Sequence, residues 1–154
     1  MRLVDVVRVS AAVAQSSGRL QKIEQLAGLI AQTPPADIAA VVSWLSGVVP
    51  QGRTGVGAAA LRTVRDVPAA DIPTLTVAAV DRVFTQLAAT SGAGATAARL
   101  EHLRALFGRA MRDEQEFLVR LLFGELRQGA LESVLVDAVA RAVGVPAGGV
   151  RRAA

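Results

Sequence analysis

The chain has 154 residues, of which 52% are hydrophobic and 3% aromatic, and its formal net charge is +4. This fits one domain with a sizeable core, and the scarcity of aromatic residues favours helices over a β-sandwich. The absence of cysteine excludes a disulfide framework and a thiolate metal site. No uncharged run reaches the roughly 20 residues of a transmembrane helix, and Asp5 and Arg8 interrupt the apolar N-terminus. We therefore expect a cytoplasmic protein without membrane contacts.

Apolar residues recur at helical spacing along most of the chain. Residues 20–30 put five of them, from Leu20 to Ile30, on one face, and Pro34 ends this helix. The other predicted helices cover 36–45 (with Trp44 in the core), a stretch starting near Gly57, 77–89, a stretch with Leu100 and Leu103 whose N-cap is Thr96, 113–123, and 131–143, closed by Gly144 and Pro146. Residues 67–76 are predicted to form a connector. Since no stretch alternates like a strand, the predicted fold is all-α.

The two halves of the chain match at a single offset of 77 positions. At this offset Gly47 falls on Gly124, and "WLSGVVPQG" corresponds to "LLFGELRQG". We interpret the chain as an internal duplication, with halves at about 1–77 and 78–154. The sequence thus predicts a compact helical domain built from two halves related by a pseudo-two-fold axis, with both glycine loops on one face.

Glycine-rich loops that lead into helices indicate a site for anions. Backbone N–H groups at a helix start favour phosphate, and glycine permits close approach. The stretch 38–65 contains no acidic residue but contains Arg53 and Arg62, and Arg65 ends it. A third candidate phosphate loop is "SGAGAT", with Ser91, Gly92 and Gly94. The alternative is that these glycines only cap helices.

Two segments carry a resemblance to a known family. "LSGVVPQGRTGVGAAALR" and "FLVRLLFGELRQGALESVLVDAVARAVGVP" resemble the N-terminal DNA-binding domain of ATP-dependent DNA ligases, with "RLLFGELRQGAL" the most diagnostic part. The resemblance implies an all-helical, non-catalytic domain that grips the minor groove of nicked duplex DNA through phosphate contacts and positions it for sealing. The DNA-binding residues implied by these motifs are Gln51, Gly52, Arg53, Thr54, Gly55 and Gly57 in the first loop, and Arg127, Gln128, Gly129 and Ala130 in the second.

The chain lacks the residues that ligation chemistry needs. Ligases of this family are adenylated on the lysine of a K-x-D-G motif, whereas the only lysine here, Lys22, precedes Ile-Glu-Gln. Asp113, Glu114 and Glu116 open a helix and are interpreted as partners of its dipole rather than as a metal site. The resemblance therefore implies a piece of a larger, nucleoid-associated enzyme. ATP and magnesium would belong to its missing adenylation and OB-fold domains, and no cofactor is expected in this chain.

Two other functions remain open from the sequence. "TGVGAAAL" also resembles the glycine hairpin of helix-hairpin-helix modules, which would place the chain in another repair protein. A helical protein-interaction domain, in which the glycines serve only as caps, is the alternative of a different class. A duplex-binding assay separates the last function from the first two, and preference for nicked over intact duplex separates the first two from each other.

Overall fold

A computed structural model describes residues 1–126 and 129–144, and within these ranges the regular secondary structure is helical apart from one isolated β-bridge between Arg2 and Thr76. The all-α fold class is therefore confirmed. The helices are α1 (Leu3–Gln15), α2 (Arg19–Gln32), α3 (Pro35–Leu45), α4 (Ala58–Val64), α5 (Val77–Ala89), α6 (Ala95–Gly108), α7 (Arg112–Phe123) and α8 (Gly129–Val143).

The order of helices repeats, and so does the way in which the third helix of each half ends. Helices α3 and α7 begin 77 residues apart. Gly47 and Gly124 follow them in the left-handed conformation, with φ of 75° and 73°. The N–H after each glycine donates to a carbonyl five residues back: Val48 to Ser43 at 2.9 Å, and Glu125 to Arg120 at 2.8 Å. Each helix thus ends in a Schellman motif, for which glycine is the usual residue.

Helices of the first half pack on helices of the second half in reciprocal pairs. Among the described residues, α1 contacts α7 and α3 contacts α5, while α2 contacts α8 and α4 contacts α6. The shared core includes an edge-to-face pair, Trp44 from α3 and Phe84 from α5, with ring centroids 5.7 Å apart. If the two halves are exchanged, the contact of α1 with α7 becomes that of α5 with α3, and the contact of α2 with α8 becomes that of α6 with α4. A two-fold axis would produce this pattern, but the rotation itself and the division near residue 77 stay predictions.

Two buried acidic residues lie at the starts of α3 and α7, again 77 positions apart. Asp37 is 8% exposed, and its Oδ2 lies 2.7 Å from the ammonium group of Met1. Glu114 is 0% exposed and accepts a hydrogen bond from the Met111 N–H at 2.8 Å. Burial raises the pKa of Glu114 above its ordinary value. Glu114 is therefore an interior group in addition to a dipole partner of its helix.

Two local features differ from the sequence-based prediction. Helix α1 is absent from the predicted elements, although Leu3, Val6 and Val7 are buried along one face of it. Thr96 was the predicted N-cap of α6, but the helix already begins at Ala95 and its N-cap is Gly94, with φ of 78°. The left-handed backbone at Gly94 turns the chain into the helix directly, so no side-chain cap is used.

Candidate nucleic-acid interface

The first glycine loop, residues 51–57, alternates between buried and exposed positions. Thr54 is buried and Val56 is half-buried, whereas Arg53, Gly55 and Gly57 are exposed. Thr54 and Val56 therefore fasten the loop to the protein, while the side chain of Arg53 is open to solvent. Gly57 is the N-cap of α4. The loop therefore presents one basic side chain from a backbone that is held in place.

Gln51 anchors the start of this loop to α5. Its Nε2 donates to Asp81 Oδ1 at 2.8 Å, to Thr85 Oγ1 at 3.2 Å and to the Asp81 carbonyl at 3.4 Å. Gln51 was predicted to bind DNA directly. In the structure its amide hydrogens contact α5, which makes Gln51 a residue that positions the loop.

A basic side chain that the sequence motifs do not include, Arg99 of α6, supports the middle of the loop. A Cβ added to Gly55 would lie 2.5 Å from Arg99 Cζ, so only glycine leaves space for this guanidinium. Gly55 also has a φ of +69°, in the left-handed region. The group that comes close to the backbone at Gly55 is therefore a side chain of the protein itself.

Arg99 also joins the first glycine loop to the loop at 91–94. Its Nε donates to the Leu87 carbonyl at 3.3 Å, and its Nη2 donates to the Thr90 carbonyl. These carbonyls lie at the end of α5, immediately before the exposed residues Ser91, Gly92 and Gly94. Two of the three predicted phosphate loops are thus brought together. The signal for Arg99 in the sequence is its match at offset 77 to Lys22, another basic residue.

The arginines around the first loop are not neutralised by nearby acids. Arg53, Arg62 and Arg65 are exposed, and within 1–126 and 129–144 no carboxylate forms a salt bridge with them. Arg62 lies on α4, and Arg65 follows its last residue. Since α4 has only seven residues, the positive charge of this surface comes from the side chains more than from the helix dipole.

The second glycine loop is described only in part. Two of its predicted DNA-binding residues, Arg127 and Gln128, lie outside the described residues. The other two, Gly129 and Ala130, are the first residues of α8. Leu45, before the first loop, and Leu126, at the second, line the same small cavity of about 20 Å³. The ends of α3 and α7 therefore lie close to each other.

In the described part of the chain, no group of three or more His, Cys, Asp or Glu side chains could hold a metal ion. None of the helices examined over the same residues is long and apolar enough to cross a membrane.

The chain is similar over its whole length to part of several larger proteins. It is 51% identical over 154 residues to a protein of Anaeromyxobacter sp. (strain Fw109-5), covering 99% of this chain and 30% of the relative. It is 54% identical over 154 residues to one of Mycolicibacterium gilvum (strain PYR-GCK), covering 100% and 30%. A Streptomyces griseus protein is 50% identical over 153 residues, with 99% and 30% covered. All three are named "Probable DNA ligase". The chain spans about 30% of the length of these curated relatives.

A family model locates this similarity within ligases. The model described as DNA ligase N terminus matches residues 56–140, more than half of the chain. The match confirms the resemblance seen in the two glycine segments. It favours a ligase over a helix-hairpin-helix module of another repair protein. It also agrees with the expectation that the catalytic part of such an enzyme is not contained in this chain. The chain therefore belongs to the family of DNA ligase N-terminal domains.

Proposed function

We propose that this domain is a non-catalytic DNA-binding module that grips nicked duplex DNA through phosphate and minor-groove contacts and positions it for sealing. The observation that carries the proposal is the placement of Arg53. It is exposed and has no acidic partner among the described residues, and it belongs to a loop that Gln51 and Arg99 fix to α5 and α6. Because the backbone of this loop is already held in place, binding a phosphate there would order only the Arg53 side chain.

Both glycine loops belong to this proposed interface. The reciprocal helix contacts and the cavity shared by Leu45 and Leu126 support a pseudo-two-fold arrangement with the loops on one face. The strands of a DNA duplex are themselves related by local two-fold axes, so each loop would contact one backbone. In this arrangement Arg127 would supply the basic side chain of the second loop, from the position that matches Pro50 at the offset of 77.

The rest of the enzyme would supply the chemistry. We propose adenylation and OB-fold domains in the same polypeptide as the partners of this module, with ATP and magnesium used there and none bound here. Work at nicked chromosomal DNA would place the protein in the cytoplasm with the nucleoid.

Fluorescence anisotropy with labelled duplexes tests the proposal. The chain should bind duplexes of different sequence alike, since phosphates carry no base sequence, and affinity should fall steeply with salt. Arg53→Ala should weaken binding to all duplexes and make the slope of log K against log salt shallower by about 0.9. Arg127→Ala is expected to act in the same way.

Arg141→Ala is the matched control, because it also removes one exposed arginine. Arg141 lies in the last turn of α8, and its Nη2 is 3.4 Å from Glu24 Oε1, so its charge already has an acidic partner. Its affinity and salt slope should equal those of the wild type. A wild-type chain without measurable duplex affinity would refute the function. Unchanged affinity in both Arg53→Ala and Arg127→Ala would refute the site. Comparing nicked with intact duplex then shows whether this domain contributes to nick recognition.

A further inference from the structure

A cleft between the end of α4 and the outer face of α7 carries three arginines. It has a volume of about 390 Å³ and is lined by Arg65, Arg112 and Arg120, with Glu116 as its one acidic residue. All four are exposed, while Phe107 and Val119 form an apolar part of the wall. Arg112 lies outside the two glycine segments, and Arg120 begins "RLLFGELRQGAL" without being one of the predicted DNA-binding residues. The lining therefore has an excess of positive charge that the glycine loops do not account for.

A buried glutamine holds one of these arginines in place. Gln115 is 4% exposed, and its Nε2 donates to the Phe107 carbonyl at 2.8 Å and the Val67 carbonyl at 3.2 Å. Its Oε1 is thereby left as an acceptor, and Arg112 Nη1 donates to it at 3.3 Å. Because Gln115 is neutral, it orients the guanidinium without neutralising the charge.

The charges of the cleft remain available for a ligand. Over 1–126 and 129–144, Arg65, Arg112 and Arg120 form no salt bridge, and neither does Glu116. Guanidinium groups present a planar fork of donors that matches the oxygens of a phosphate. We propose that this cleft binds a phosphate group, with Arg65, Arg112 and Arg120 as its ligands.

The position of the cleft favours a backbone phosphate of DNA as the source, an assignment that rests on the proposed function. Helix α4 separates the first glycine loop from Arg65, and its seven residues span about 10 Å. Successive phosphates of one strand advance by roughly 3.4 Å along the duplex axis. A backbone bound at Arg53 would thus reach Arg65 within about three nucleotides. The cleft would extend the interface from the glycine loops onto α7.

The test is a set of arginine variants of α7 measured beside Arg53→Ala. Arg112→Ala combined with Arg120→Ala should lower duplex affinity about tenfold, the effect of losing charge-assisted hydrogen bonds to a phosphate. Because both side chains contact one phosphate, the salt slope of the double variant should become shallower by about 0.9, not by twice that value. Arg141→Ala should leave both quantities unchanged. Circular dichroism and thermal melting confirm that each variant is folded.

The outcomes separate this proposal from the proposed function. If the wild type binds duplex and Arg53→Ala weakens it, but the folded double variant binds as the wild type does, the DNA source is wrong. Titrations with inorganic phosphate and with ATP then test whether the cleft binds a free anion. If the wild type binds either anion and the double variant does not, the phosphate site is supported. If the double variant behaves as the wild type does with duplex, phosphate and ATP, the phosphate site is overturned. A wild type that binds no duplex overturns the proposed function, while the phosphate and ATP titrations still decide the cleft.

Discussion

Replacing Gly55 with alanine tests the contact between the first glycine loop and Arg99. The added Cβ would lie 2.5, 2.7 and 2.8 Å from Arg99 Cζ, Nε and Nη2. These atoms are the end of a flexible side chain, so Arg99 can move aside while the backbone stays in place. Moving it breaks the hydrogen bonds from Arg99 to the carbonyls of Leu87 and Thr90. The substitution therefore separates the loop from the end of α5.

Two contributions determine the size of the effect. Alanine in the left-handed region, where Gly55 has φ of +69°, costs roughly 1–2 kcal/mol. Two hydrogen bonds from a half-buried guanidinium to neutral carbonyls add about 1–3 kcal/mol. The free energy of unfolding should thus fall by about 3 kcal/mol. For a domain of this size that lowers the melting temperature by roughly 10 °C.

Two other glycines of the same loop provide matched controls. Gly52 has φ of +70° but open space around an added Cβ, so Gly52→Ala should cost only the roughly 1–2 kcal/mol of the backbone term. Gly57 has φ of −88° and also faces open space, so Gly57→Ala should cost less than about 1 kcal/mol. In an Arg99→Ala background, the cost of Gly55→Ala should drop to that of Gly52→Ala. Equal costs of Gly55→Ala with and without Arg99 would refute the reasoning.

Three further predictions concern Glu114, Asp37 and Gln51, whose polar side chains bond within the protein. Because burial raises the pKa of Glu114 above its ordinary 4.5, the folded chain binds this proton more tightly than the unfolded chain does. The stability from this group is full below pH 4.5 and is lost as pH rises through the raised pKa. Melting curves from pH 4 to 8 should thus show the melting temperature of Glu114→Gln increasing relative to that of the wild type as pH rises. A difference in melting temperature that does not change with pH would contradict this. Asp37→Ala leaves the Met1 ammonium group buried without its partner, so denaturant unfolding should show a loss of about 3 kcal/mol, and a loss below about 1 kcal/mol would argue against a buried pair. Gln51→Leu removes the bonds to Asp81, so hydrogen exchange in the first loop should quicken while exchange in α7 stays the same; equal exchange in the loop would show that Gln51 is not its anchor.

The sequence predicts most of the fold because apolar spacing and glycine position are local signals. The ends of α3 and α7 follow directly from Gly47 and Gly124, since a left-handed residue after a helix is a backbone requirement. Helix α1 escapes prediction because its apolar positions are mainly valine, which has only modest helix propensity. It is stable through contacts with α2, the next helix in the chain, and with α7, which belongs to the second half.

The sequence predicts which segment forms the candidate site, but it does not predict the role of each residue in it. Charge and glycine content select the segment that contains Arg53, and the structure shows Arg53 exposed there. The same pattern does not distinguish Gln51, which faces α5, from a ligand residue. Arg99, Arg112 and Gln115 are missed because they lie on helices whose periodicity explains them as ordinary surface or core positions. Only tertiary packing brings them next to the loop or into the cleft.

The two halves diverge at the point where the proposed DNA contacts lie. After Gly52, the first half continues as a loop and starts α4 at Ala58, whereas the equivalent Gly129 is already the first residue of α8. The second loop therefore has no counterpart of the backbone that carries Arg53. A nick gives the duplex a direction, with a 3′ hydroxyl on one side and a 5′ phosphate on the other, and a perfectly symmetric domain could bind it in both directions with equal energy. If the loops grip DNA as proposed, their inequality selects one orientation. A cleavage reagent tethered beside the first loop should then cut on one side of the nick, and cutting on both sides in equal amounts would show that the difference between the loops does not orient the DNA.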